Sequence, residues 1–255
     1  MKLSKLLATA ATTAALALAI STTLQAAEPL VKADKFPGAF SANAAITSEY
    51  YFRGLSQTGD APALQGGFDY EVGFSKAVTG YLGVWGSNVD FNEGAGVDGA
   101  TVEMDFYGGI KGELGQSGIG WNAGFIYYTY PGANSSLNYD FVEATGALSY
   151  DFGIASASVS LNYSPNNFGD SGDAYYPKLA VDVPVGNYLT LSGSLARQWI
   201  DKNDVFGQPD YTEWAFGGTV NLVGFDLNLT YTDTNIAGNP DGATEAVLFT
   251  VSRSF

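Results

Sequence analysis

Two pairs of carboxylates are the residues of this chain best spaced to do chemistry: Asp69 with Glu71, and Glu103 with Asp105. Residues two apart on a strand share a face, with Cα atoms roughly 6.5–7 Å apart. Carboxylate pairs at comparable separations hydrolyse glycosidic bonds. The rest of the composition narrows the field. The chain has no His and no Cys. Ser-His and Cys-His pairs, imidazole metal sites, zinc ribbons, disulfides and thiol chemistry are therefore out of reach. Asp90, Glu93 and Asp98 cluster in an acidic, glycine-rich stretch, but without the spacing of a calcium-binding loop. They read as a solvated surface loop. A net charge of −15 over 255 residues argues against nucleic acid as a partner. No cofactor motif is present, and the reading is of a protein that is not an enzyme.

The elements that must carry those carboxylates alternate with a period of two. In Phe40–Arg53, the residues Phe40, Ala42, Ala44, Ile46, Ser48, Tyr50 and Phe52 share one parity, and Ser41, Asn43, Ala45, Thr47, Glu49, Tyr51 and Arg53 share the other. That is the signature of a strand with one apolar and one polar face. Eleven further segments follow. They are expected at 62–73, 81–87, 101–111, 119–130, 139–150, 154–163, 174–183, 188–199, 211–222, 225–233 and 243–255. The parity of 81–87 is left open, because its two faces are alike. The connections sort by length. Long polar loops follow the odd-numbered segments, and tight turns follow the even ones. High Gly, Tyr and Phe content suits strands.

This pattern predicts an all-β fold: a transmembrane antiparallel up-and-down β-barrel of about twelve strands, with short periplasmic turns and longer extracellular loops. Strands of about ten residues or more suit a tilted crossing of the apolar layer. Met1–Ala26 reads as a cleaved signal peptide, with Lys2 and Lys5 before the apolar run Leu6–Ile20 and small residues before Ala26. Residues 27–38 then form a periplasmic linker and 39–255 the barrel. No later segment is apolar for the ~20 residues a spanning helix needs. Tyr50, Tyr130, Trp199, Tyr211 and Tyr231 stand near strand ends, where aromatic girdles are expected. The final segment places Val247, Phe249, Val251 and Phe255 on one face. Phe249, Val251 and Phe255 are read as the barrel-closing signal that assembly machinery recognises. A soluble secreted β-sandwich that binds a ligand is the alternative fold.

The stretches SEYYFRGLSQTGDAPALQGGFDY, GYLGVWGSNVDF, EMDFYGGIKGELG and YYTYPGA follow one another in this chain. In that order they resemble the TorF-type porin family, also called Gcw_chp, of exported Gram-negative proteins. The Phe52-Arg53-Gly54, Gly86-Ser87-Asn88 and Tyr128-Thr129-Tyr130-Pro131-Gly132 units carry the resemblance. It implies an outer-membrane channel and assigns no functional residues.

If the apolar parity meets outer-membrane lipid, the other parity lines a lumen. It would carry Glu49, Arg53, Asp69, Glu71, Glu103, Asp105, Lys111, Glu143, Lys178, Asp182, Glu213 and Asp226. Acids outnumber bases, so the expectation is passive diffusion of small polar solutes with a preference for cations. The opposing expectation is that the carboxylates pair with Arg53, Lys111 and Lys178 and close the lumen. The barrel would then have a structural role or one carried by its loops. Twelve strands lie between the filled eight-stranded and the open sixteen-stranded barrels, so strand number does not choose. No protomer interface is marked.

Overall fold

The computed structural model describes residues 37–75, 77–91, 99–238 and 242–255. The expected signal peptide at 1–26 and nearly all of the linker lie outside these residues. So do Glu93 and Asp98. Among the described residues no helix is long and apolar enough to cross a membrane.

Alternation builds the barrel strand by strand. They are β1 (Ala39–Thr47), β4 (Ala63–Gly73), β5 (Val78–Asn88), β6 (Val102–Glu113), β7 (Ile119–Thr129), β8 (Phe141–Asp151), β9 (Ser156–Ser164), β10 (Ala174–Val185), β11 (Leu189–Ile200), β12 (Tyr211–Leu222), β13 (Phe225–Thr234) and β14 (Ala246–Ser254). Each pairs antiparallel with its chain neighbours, and β1 closes the ring on β14 with Asn43 opposite Ser254 and Thr47 opposite Thr250. The result is a closed twelve-stranded barrel, which excludes the sandwich alternative. Two short strands, β2 (Tyr51–Phe52) and β3 (Leu55–Ser56), form a separate hairpin. A single helical turn, α1 (Asn203–Phe206), sits between β11 and β12.

The two faces of the wall are chemically opposite. Ile46, Phe68, Leu82, Phe106, Phe125, Leu161, Leu195, Phe216, Leu229 and Phe249 are all exposed on the outside. Gln65, Asn122, Thr145, Asn162, Thr219, Asn228 and Thr250 are buried on the inside. On β14 the outward residues include Val247 and Phe249, while Leu248 and Thr250 are buried.

Connections of two to five residues join β4–β5, β6–β7, β8–β9, β10–β11 and β12–β13 at one end, and the long ones gather at the other. At the tight end, Val223 and Gly224 both take positive φ, of 54° and 80°. A two-residue hairpin needs that geometry to match strand twist.

One boundary differs from expectation. The first strand stops at Thr47 and does not run to Arg53. Thr47 Oγ1 donates to the Glu49 carbonyl at 2.9 Å, and Thr250 Oγ1 donates to Thr47 Oγ1 at 2.9 Å. The chain then leaves the wall and turns into the barrel. Parity alone misses this, because the alternation continues through the break.

Candidate functional site

The site is the barrel interior together with the hairpin that enters it. Its turn is Arg53-Gly54, with φ of 52° and 77°. Both residues are left-handed, as a two-residue turn of this class requires. For an Arg that conformation costs about 1–2 kcal/mol, so the surroundings must over-determine it. They do. Arg53 Nη2 bonds Glu143 Oε2 on β8 at 2.6 Å, and Nη1 bonds Gln198 Oε1 on β11 at 3.0 Å. The guanidinium lies over the Tyr176 ring on β10 at 4.2 Å and over Phe52 at 4.7 Å. The Arg53 carbonyl accepts from the Tyr211 hydroxyl on β12 at 2.9 Å. In the ring order, β8, β10 and β11 lie across the lumen from β1. The hairpin therefore spans the lumen and is fastened to the far wall.

Gly54 shows how close the approach is. A Cβ there would stand 2.5 Å from Thr234 Cγ2 and 3.1 Å from Glu213 Oε2. The base of the hairpin is held too. Tyr50 N donates to Thr58 Oγ1 at 3.1 Å, Gln57 N to the Tyr50 carbonyl at 2.7 Å, and Ser56 N to the Gly242 carbonyl at 2.7 Å. Glu49 accepts from Ser56 Oγ, and from Asp60 N at 3.1 Å. Glu49 thus stands at the barrel mouth, bracing the hairpin, and Arg53 reaches the interior from a loop. Neither projects from a barrel strand, because the strand ends before them.

The other ten candidates stand on the inward parity of barrel strands. Glu103 and Asp105 on β6 are each 1 % exposed. The Tyr50 hydroxyl donates to Glu103 Oε1 at 3.1 Å. Burial holds that hydroxyl well above the ordinary phenol range, and the two carboxylates push the same way, so it stays a donor. Glu103 Oε2 and Asp105 Oδ1 have no hydrogen-bond partner among the described residues. Glu143 accepts from Asn162 Nδ2 at 2.9 Å and from Tyr128 at 3.3 Å, besides Arg53. Glu213 accepts from Tyr176.

Nearer the tight end, Asp69 accepts from Tyr107 at 2.5 Å, and Glu71 pairs with Lys111 at 2.5 Å across β5. Asp182 accepts from Ser192 at 2.6 Å, and Asp226 from Asn221 Nδ2 at 2.8 Å. Lys178 lies opposite Ser160 and Ala196. Among the described residues it has no ion-pair partner. Asp69 and Glu71 are thus committed to neighbours in the wall, while Glu103 is held by Tyr50 from the loop and one oxygen each of Glu103 and Asp105 is left without a partner among the described residues.

Three expected girdle residues are placed differently. Tyr50, Tyr130 and Tyr211 are buried inside, around the hairpin. Trp199 remains exposed on the outside, with Tyr127, Tyr150, Tyr175 and Tyr188. Tyr50 has left the wall with the hairpin, whereas Tyr130 and Tyr211 continue the inward parity of Tyr128 on β7 and Glu213 on β12, so parity and not nearness to a strand end decides the face there. The interior aromatics pack together. Phe52 meets Tyr128 edge-on at 5.6 Å, Tyr128 stacks on Phe141 at 4.4 Å, and Tyr50 meets Trp85 at 5.6 Å. So the Phe52-Arg53-Gly54 and Tyr128–Gly132 stretches meet at the hairpin. The signal for the hairpin was present in the sequence, as Arg-Gly between two short β-prone pairs.

A model of the family described as "Bacterial protein of unknown function (Gcw_chp)" matches residues 32–255. Sequence comparison with curated proteins finds no match. Among solved structures, the chain is similar to the COG4313 outer membrane channel from Pseudomonas putida F1, with 12% identity, a TM-score of 0.54, and coverage of 86% of this chain and 96% of that one. It is also similar to a membrane protein solved in work on in-meso crystallization, with 10% identity, a TM-score of 0.53, and coverage of 85% and 83%. At these identities the likeness is one of fold.

Proposed function

The chain belongs to the Gcw_chp family, and from that premise we propose that it is a porin-like channel of the outer membrane, without enzymatic chemistry, passing small hydrophilic solutes and preferring cations. The observation that carries this reading is the inversion of the usual order. Every barrel strand exposes large apolar side chains outward, from Ile46 on β1 to Phe249 on β14, while charged and amide side chains face inward. An apolar outer surface of that extent belongs in lipid. A charged inner wall belongs in water. In this reading Met1–Ala26 directs export, the barrel-assembly machinery inserts the chain, and lipid surrounds it. That a solved barrel of the same fold is an outer membrane channel supports it.

The charge on the wall supports the cation preference. Among the described residues, Asp69, Glu71, Glu103, Asp105, Glu143, Asp182, Glu213 and Asp226 share the interior with three bases, Arg53, Lys111 and Lys178. Two of those cations already have carboxylate partners. A pore with such a wall concentrates cations and repels anions. The test is single-channel recording of the refolded barrel under a KCl gradient. Discrete steps with a cation-selective reversal potential are expected. Asp69→Asn with Asp182→Asn should move that potential toward zero, because both sit on the wall away from the hairpin.

A second reading is favoured by one observation, the clamp of Arg53 on the wall opposite β1. There the hairpin shuts the lumen and the loops do the work. A correctly folded barrel that passes no current would establish that reading in place of the channel.

A further inference from the structure

We propose that the cavity above the inner hairpin is a receiving site for an uncharged sugar, a mono- or disaccharide, at the outer mouth of the barrel. This rests on the channel reading and names the class of solute that the mouth admits.

The cavity is about 430 Å³, toward the lower end of the ~300–1,000 Å³ typical of small-molecule sites. Its floor is the hairpin, through Phe52, Arg53 and Gln57, and its walls come from all five of the other long connections.

Three features select the ligand. The first is charge. Among the described residues no carboxylate and no Lys lines the cavity. Its one guanidinium, Arg53, is already neutralised by Glu143 at 2.6 Å. An ion bound within the cavity would give up its water without a counter-charge there, so the cavity holds a neutral ligand better than an ion, whatever passes along the acidic wall.

The second is a preformed aromatic wall. Tyr139 and Phe168 stack at 4.3 Å with 12° between their planes. Phe91 stands edge-on to both, at 5.7 and 5.8 Å. Rings held by one another lose little freedom when a ligand packs on them. Such a surface accepts the C–H face of a pyranose.

The third is the polar complement. Gln57, Asn167, Gln198 and Gln208 place amides on the lining, and each amide both donates and accepts. Tyr130 and Tyr139 line the same cavity, and their hydroxyls make no hydrogen bond among the described residues. Gln57 Nε2 already donates to the Leu55 and Ser56 carbonyls at 2.9 and 3.1 Å, Asn167 Nδ2 donates to Ser171 Oγ at 3.2 Å, and Gln198 Oε1 accepts from Arg53 at 3.0 Å, so it is the Gln208 amide and the Tyr hydroxyls that a hydrocarbon ring would leave unsatisfied. Sugar hydroxyls match them, since they too donate and accept.

The test is isothermal titration of the refolded barrel in detergent with glucose, maltose and sucrose, with sodium benzoate as the flat anionic control. Saturable binding of at least one sugar and none of benzoate is expected. Phe168→Ala should weaken it at least tenfold. Gln208→Ala, on a loop away from the aromatic stack, should also weaken it, and keeps the test sound if Phe168→Ala fails to fold. Heat-modifiable gel migration checks folding. No binding of any of the three sugars by a folded barrel overturns the proposal. So does binding of benzoate alone, or sugar binding that neither variant alters. Bilayer recording of the same preparation separates the two readings. A conducting barrel that binds no sugar removes this site and leaves the channel. A silent barrel that binds sugar removes the channel and leaves the site.

Discussion

At the scale of single residues, Arg53 fastens the hairpin to the far wall of the barrel. It holds a left-handed backbone that a Gly or Asn would hold more cheaply, and its guanidinium meets Glu143, Gln198 and the Tyr176 ring. Arg53 and Glu143 are 6 % and 1 % exposed, so the pair is dry. Removing one partner of such a pair costs about 3–5 kcal/mol, because the other charge stays buried. Arg53→Ala should therefore free the hairpin from the far wall. The expected result is a larger single-channel conductance and new protease cleavage within residues 48–62. Arg53→Lys should fall between, since an ammonium cannot hold Glu143 and Gln198 in one planar fork. Unchanged conductance in Arg53→Ala would show that the hairpin is not the constriction. In the sequence, Arg53 was legible as a charge on the inward parity. Its partners were not, since Glu143 and Gln198 lie 90 and 145 positions away, and no local pattern encodes such a contact.

At the scale of elements, the strands follow from alternation and hold their expected places to within a few residues. β12 spans Tyr211–Leu222 as expected, and β4 starts one residue late. Phe106 and Tyr107 show what alternation determines. Neighbours in sequence, they face opposite solvents: Phe106 is exposed outside, while Tyr107 donates to Asp69 within. Phe106→Arg near the middle of β6 should cost about 2–4 kcal/mol, the range for a cation on the lipid face near the bilayer centre. Thr230→Arg on the inward face of β13 should cost far less. Denaturant unfolding from vesicles measures both, and equal losses would contradict the assignment of faces. The first strand is where the element-level reading failed. Ser48–Arg53 keeps the alternation of β1, but after Ser48, whose N still donates to the Phe249 carbonyl at 2.8 Å, its backbone pairs within the hairpin. Period two is necessary for a wall strand and does not guarantee a place in the wall.

At the scale of the whole molecule, closure joins the two ends of the barrel. Phe255 N donates to the Ala42 carbonyl at 2.8 Å, and Ala42 N to the Phe255 carbonyl at 3.1 Å. Arg253 lies over the Phe225 and Phe255 rings at 5.1 and 5.2 Å. If the last strand is the signal read during assembly, removing Phe255 should leave a barrel that refolds in vitro and lower its yield in the outer membrane several-fold. Quantitative fractionation measures this, and an undiminished yield would refute the signal. The fold class, the strand count, the sorting of loops by length and the opposition of faces were all determined by the sequence, because each depends on local period and turn chemistry. The hairpin across the lumen, the inward turn of Tyr50 with it, and the aromatic cavity above them were decided only by the tertiary structure. They depend on which distant strands stand opposite once the ring has closed, and the linear chain does not carry that distance.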